Sequence, residues 1–255
     1  MEIYGIQLVV FVMILIRVLS AVILAPAIGD QIVPTEIKVA IAIFISLTLY
    51  PVVAAENPKV DLALGGLVLM GLKEAAMGLT LGFTSGLVLL AGSVAGDIMS
   101  FDLGLSMAVV LDPETGAQNN VISEFIRLVM VLLFLVLNGH HFVLQALKMS
   151  FECVGLGGFT VTQAVADRLL PLTGVVMVLG IKLAAPIIVA SFLVNAALGI
   201  LTRVAPQVNV FMLNFQLKLG VGFIVLMTAA PMMVFVFKKA LAGFEENMVE
   251  LVRTF

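Results

Sequence analysis

The stretch TRVAPQVNVFMLNFQLK, Thr202 to Lys218, holds two cations, no acid and a central Ala205-Pro206. It lies between apolar runs at about 169–201 and 208–237. A helix needs about 20 apolar residues to cross a bilayer, so each run is long enough to do so. Proline and the polar Gln207 and Asn209 read as the turn between them. A basic loop without acids is the best cytoplasmic candidate under the positive-inside rule. Lys238 and Lys239 compete with that assignment, because one crossing of the last run puts them on the other side.

Working outward, the whole chain has the same character. Of 255 residues, 62% are hydrophobic and 11% are charged, and mean hydropathy is +1.23. Soluble domains run nearer 45–50% apolar and about 25% charged. A water-soluble core of this size cannot hide so much apolar surface, so the chain reads as an integral membrane protein. A net charge of −3 gives no basic field for nucleic acid. One cysteine, Cys153, excludes an internal disulfide and reads as a small apolar packer. Trp is absent and Tyr occurs twice, so the usual headgroup anchors are sparse. Much of the apolar surface is therefore expected to meet protein.

Further candidate spans lie near 6–25, 37–55, 62–96 and 125–147, giving about six in one domain. Turn signals separate them: Gly29-Asp30, Pro34, Glu56-Asn57-Pro58, Asp112-Pro113 and Gly157-Gly158. Ala25-Pro26-Ala27 mimics a signal cleavage site, but Glu2 and Arg17 argue for a retained helix.

Charges interrupt the plain reading. Arg17, Lys73-Glu74 and Lys182 fall inside apolar segments. A charge at the bilayer centre costs about 2.5–3.5 kcal/mol on insertion scales, so these groups are expected to pair, to line water or to lie outside the bilayer. Lys73-Glu74 has two readings, an ion path or a local polar patch at a helix break. Pro186 and Pro231 predict bent helices packed on neighbours. Gly78, Gly82 and Gly86 recur on one helical face, which fits close packing either within the chain or against another subunit.

No catalytic pattern emerges. His140 and His141 are adjacent and diverge by about 100° on a helix, so they read as structural or interfacial. No nucleophile elbow, phosphate loop or metal-ligand spacing occurs. The expectation is no enzyme, no cofactor and no metal. At the centre, MAVVLDPETGAQNN, Met107 to Asn120, drops from an apolar run into Asp112-Pro113-Glu114 and reads on its own as an interhelical loop.

The order of these features resembles the FliR family, the R subunits of flagellar type III export gates, and their injectisome counterparts. Arg17, Ala25-Pro26, Val33-Pro34 and Lys38 are similar to the family's opening. Lys73-Glu74 with Gly78 and Gly82, then Asp112-Pro113, then Asn138-Gly139-His140, follow in the family's order. Ala185-Pro186, Gly199, Arg203 through Phe211 and Lys218 complete it, and that last block is the most specific. The resemblance covers essentially the whole chain.

The resemblance implies an all-α membrane protein of bent helical hairpins in a helical export-gate assembly. A P-like part of about 1–168 would precede a Q-like hairpin and tail of about 169–255. It implies a location in the bacterial inner membrane, within the flagellar basal body. The implied partners are the P and Q subunits (FliP and FliQ), the FlhB switch subunit and unfolded secreted flagellar proteins. Hydropathy would then overstate the true bilayer crossings. The resemblance also implies a pore plug at Gly104, Leu105, Ser106, Met107, Ala108, Val109, Val110, Leu111, Asp112, Pro113 and Gly116. Met107–Leu111 would close the pore, Gly104 and Gly116 would be hinges, and Asp112-Pro113 would shape the turn. Arg203, Pro206, Gln207, Asn209 and Lys218 would meet the switch subunit. Arg17, Lys73, Glu74, Gly78, Gly82 and Gly86 would serve subunit packing. The rival readings are an ion-coupled secondary transporter using Lys73, Glu74 and Lys182, or a scaffold without a pore.

Overall fold

A computed structural model of the chain describes residues 2–30, 32–55, 63–105, 121–160, 162–207 and 209–254. Among these residues every regular element is helical: α1 (Glu2–Leu24), α2 (Thr35–Ala54), α3 (Leu64–Asp102), α4 (Val121–Val136), α5 (Gly139–Cys153), α6 (Gln163–Val204) and α7 (Val210–Thr254). Five are long and apolar enough to cross a membrane, and α4 with α5 makes a sixth as a bent pair. The six segments expected from hydropathy are therefore present, with longer boundaries.

The differences have local causes. The run read as one span at 125–147 breaks at Leu137-Asn138, and its two helices meet at 65°. Asn138 stands at φ 61°, in the left-handed region that a short polar side chain tolerates. Gly139 lets the bend close on the Phe134 ring, where a Cβ would come within 2.3 Å. The prolines expected to bend the long helices do not end them, since Pro186 lies within α6 and Pro231 within α7. Pro34, at φ −55° and ψ 144°, is the extended residue from which α2 starts, and Glu36 in the first turn suits the helix dipole there.

At ~1.5 Å per residue, α3, α6 and α7 run to roughly 58–68 Å, about twice the hydrocarbon thickness of a bilayer. Each therefore extends well beyond a single crossing.

The chain forms two compact units. The first comprises Met1–Val88, Phe134–Thr173 and Leu241–Phe255. Its core joins a stripe of α1 (Val10, Ile14, Val18, Ala21, Val22) to Ala42 and Leu49 of α2, Met77 and Leu81 of α3, and Leu147 and Phe151 of α5. The spacing of three and four along α1 puts one face of that helix inward. At the end of α7, Leu241, Phe244, Met248, Leu251 and Val252 are buried while Glu246, Asn247, Glu250 and Arg253 are exposed. Arg168 pairs with Glu250 on this unit's surface.

The second unit comprises Leu89–Leu133 and Gly174–Ala240. Its contacts rest on small residues. A Cβ on Gly92 would sit 2.6 Å from Met130 Cγ, and one on Gly96 would sit 2.5 Å from Ser123 Cα, so α3 and α4 approach closely. On α6, Gly180, Leu183, Ala184, Ile187 and Ser191 form the buried stripe. Gly180 meets Ala91 and Val94 of α3 along it. An open apolar groove of about 510 Å3 lies between α4 and α7.

Candidate functional site

In the first unit the structure gathers several residues singled out above around one buried guanidinium. Arg17 of α1 and Glu74 of α3 both have fully buried side chains. Arg17 Nε donates to Glu74 Oε2 at 2.5 Å, and Nη2 donates to Oε1 at 3.1 Å. This two-pronged geometry matches guanidinium to carboxylate. Nη1 donates to the Ser150 carbonyl at 2.9 Å and the Val154 carbonyl at 3.2 Å. Those carbonyls belong to the last turn of α5 and the residue after it, where the helix dipole favours a cation. The Phe151 ring lies 4.1 Å from the guanidinium carbon, a cation–π contact.

Glu74 and Lys73 hold the turn that follows α5. Glu74 Oε1 accepts the Gly157 N–H at 2.7 Å, and Lys73 Nζ donates to the Gly157 carbonyl at 3.1 Å. Gly157 has φ 75°, which requires glycine at that point of the turn. The cluster has compensating charge and its hydrogen-bonding groups are occupied. That arrangement leaves no open position for a substrate or ion; it fastens α1, α3 and the end of α5 together. Of the two readings of Lys73-Glu74, the local polar patch fits this geometry, with the chain's own turn as its partner. Lys182 belongs to the second unit and is exposed.

The glycine face lies against the same helix. A Cβ on Gly78 would meet Ser20 Oγ at 2.0 Å and the Arg17 carbonyl at 2.1 Å. On Gly82 it would meet the Ala21 carbonyl at 2.5 Å, and on Gly86 the Leu24 carbonyl at 3.2 Å. Gly78, Gly82 and Gly86 therefore follow α1 residue by residue. The structure buries Arg17, Glu74, Gly78 and Gly82 within the chain, while Gly86 and Lys73 are half-buried. The pairing of Arg17 with Glu74 was not anticipated. Its one sequence signal is the occurrence of opposite charges in separate apolar helices, which does not say that they meet.

The remaining assignments fall in the second unit. Gly104 and Leu105 are described. Ser106, Met107, Ala108, Val109, Val110, Leu111, Asp112, Pro113 and Gly116 lie outside the described residues, as do Gln118-Asn119-Asn120. Gly104, at φ 80°, ends α3: its N–H donates to the Phe101 carbonyl at 3.0 Å, and Leu105 N–H donates to the Ser100 carbonyl at 3.1 Å. These two bonds form a Schellman motif. In the turn between α6 and α7, Arg203, Pro206, Gln207 and Asn209 are exposed and Lys218 is half-buried. Asn209 caps α7, its Oδ1 accepting the Met212 N–H at 3.3 Å. Cys153, read as an apolar packer, is instead exposed at the end of α5. Its neighbour Phe151 takes the buried position on that turn.

The sequence as a whole is similar to known proteins along nearly its full length. The flagellar biosynthetic protein FliR of Bacillus subtilis (strain 168) is 28% identical over 255 residues, covering 95% of this chain and 94% of the relative. That of Escherichia coli (strain K12) is 29% identical over 218 residues, covering 86% and 83%. That of Caulobacter vibrioides is 28% identical over 221 residues, covering 85% and 86%. Residues 8–244 match the sequence profile described as bacterial export proteins, family 1. That match takes in the Arg17–Glu74 cluster, the glycine face on α1 and the turn between α6 and α7, and the chain belongs to family 1 of the bacterial export proteins.

Proposed function

We propose that the chain is an R-type core subunit of the flagellar type III export gate, assembling with FliP and FliQ into the channel that passes unfolded flagellar proteins. The observation that carries this reading is the likeness to FliR proteins along nearly the whole length of both chains. The protein resides in the bacterial inner membrane, in the flagellar basal body, and acts as a structural and transport component rather than an enzyme. The P-like part of about 1–168 and the Q-like hairpin of about 169–255 pack on neighbouring subunits. The exposed turn carrying Arg203, Pro206, Gln207 and Asn209, with Lys218 beyond it, docks the FlhB switch subunit. An exposed Arg203, a half-buried Lys218 and no acid suit a partner with acidic or carbonyl acceptors.

An export gate must pass extended chains and hold back ions when idle. An apolar constriction does both, because it loses its water when narrow and its side chains yield to a passing chain. Met107–Leu111 supplies that closure, and Asp112-Pro113 shapes the turn after it. The Schellman cap at Gly104 supports this reading by giving the segment a defined point of departure from α3.

The test is deletion of Met107–Leu111 in the assembled gate. The expected result is normal co-purification with FliP and FliQ together with a raised conductance for small ions across membranes that contain the complex. An unchanged seal in an assembled complex removes the plug assignment.

A further inference from the structure

Within the second unit, the open side of α3 carries one acid among apolar side chains. Between Glu74 and Asp102, Asp97 is the single charged residue of the helix. It is exposed, and so are Leu90, at 49%, and Phe101, at 75%. A helix turns about 100° per residue, so Leu90 lies about 20° and Phe101 about 40° round from Asp97. The three form one stripe, about 16 Å long at ~1.5 Å per residue.

The helix is already packed on both sides of that stripe. Gly92 and Gly96, about 140° and 100° round to one side, meet Met130 and Ser123 of α4. Val94 and Ala91, about 60° and 120° round to the other, meet Gly180 of α6. Asp97 therefore points out between two seated neighbours. Among the described residues it forms no ion pair. Arg127, the cation of α4, is paired with Glu124 of its own helix.

Neither solvent suits this face. In hydrocarbon the carboxylate is costly, and an aspartate is too short to reach a headgroup as a lysine does. In water, Leu90 and Phe101 leave apolar area uncovered that burial would recover. A protein face that is apolar around one cation satisfies both demands. Its cation also fixes the axial register of the contact.

We infer that this stripe seats an apolar helix of a neighbouring gate subunit, and that Asp97 forms an ion pair across the interface with a lysine or arginine of that helix. The inference rests on the reading of the chain as an export-gate subunit, and it gives that subunit a contact on a face away from the turn between α6 and α7.

The test uses membranes in which the full-length chain is made together with FliP and FliQ. Benzoylphenylalanine, a photo-crosslinker, at position 90 or 101 should couple the chain to FliP or FliQ. Mass spectrometry should place the crosslink in an apolar segment that carries a lysine or arginine. Asp97→Asn should lower the yield at 101 about tenfold, the strength of one charge-assisted hydrogen bond. Asp97→Glu should keep most of it. Asp97→Lys should abolish it, and changing the partner's cation to Glu should restore it. Asp97→Asn is nearly isosteric at an exposed position, so its membrane abundance should match wild type, which separates a lost contact from a lost fold. Undiminished crosslinking in Asp97→Asn overturns the ion pair. Coupling to lipid alone, in a chain that still co-purifies with FliP and FliQ, overturns the seat. So does modification of Phe101→Cys by a water-soluble maleimide in a Cys153→Ala background, which makes the stripe a channel wall. A wild-type chain that co-purifies with neither subunit removes the export-gate reading itself, and this contact with it.

Discussion

Both units pack helices closely through glycine, but among the described residues only the first adds a buried ion pair to that packing. The first is fastened by a fully buried ion pair, with Arg17 and Glu74 gripping the end of α5 and the turn at Gly157. In the second, the Arg127–Glu124 pair is partly exposed, and the helices pack through Gly92, Gly96 and Gly180. Buried charges demand one arrangement, because any shift leaves a charge without its partner. Glycine contacts rest on many weak dispersion terms and forgive small displacements. The difference teaches that the first unit is held to one arrangement by its buried charges, whereas the second rests on packing alone.

The sharpest way to break this contrast is to remove one partner of the buried pair. Arg17→Met leaves Glu74 buried alone and should cost about 3–5 kcal/mol, seen as a collapse in membrane abundance. Arg17→Met with Glu74→Leu should recover a good part of that loss, because no charge is then stranded. A double variant no better than the single shows that Arg17 acts through the α5 carbonyls and not through Glu74.

Glycine replacement gives a graded comparison. Gly78→Ala drives a methyl into the Arg17 backbone and should cost about 1–3 kcal/mol or somewhat more, read as a lower midpoint of thermal unfolding in detergent. Gly180→Ala in the second unit meets Val94 Cγ1 at 2.6 Å, a side-chain atom, and should cost less. Gly199→Ala meets nothing within 4 Å and should be neutral or stabilise by up to about 1 kcal/mol. Equal costs at 78 and 180 would erase the distinction between the units.

The end of the second unit gives smaller effects. Asn209→Ala removes the cap of α7 and should cost about 1 kcal/mol, read in the same unfolding measurement. Arg203→Glu with Lys218→Glu should leave stability nearly unchanged while lowering crosslinking to the switch subunit. Wild-type crosslinking efficiency counts against docking through this turn.

How far the sequence reaches follows from the range of each interaction. Apolar runs and turn residues act over one helix, so the six segments were legible with boundaries short by several residues. The break at Asn138 was only half legible: Asn-Gly is a turn pair, but the run 125–147 stays apolar across it. The Arg17–Glu74 pair was not legible, because its partners are 57 residues apart and the third set, Ser150 to Gly157, lies further still. The glycine face was visible as a pattern, but its target was not. Only the positions of Arg17, Ala21 and Leu24 in space show that α1 fills it. Cys153 was misread because an apolar packer and an exposed helix end look alike in one residue. The docking turn rests on likeness to relatives and on the exposure of Arg203, Pro206, Gln207 and Asn209, and the plug stretch on likeness alone.

The Arg17 cluster also sets a timetable. Bacterial and other ribosomes add about 5–20 residues per second. Arg17 therefore precedes Ser150 by 133 positions, on the order of ten seconds of synthesis at that rate. Of the groups that finally hold it, Arg17 can meet Glu74 after 57 positions but not the α5 carbonyls until the end of that interval. α1 is thus made well before the last of the groups that fix it.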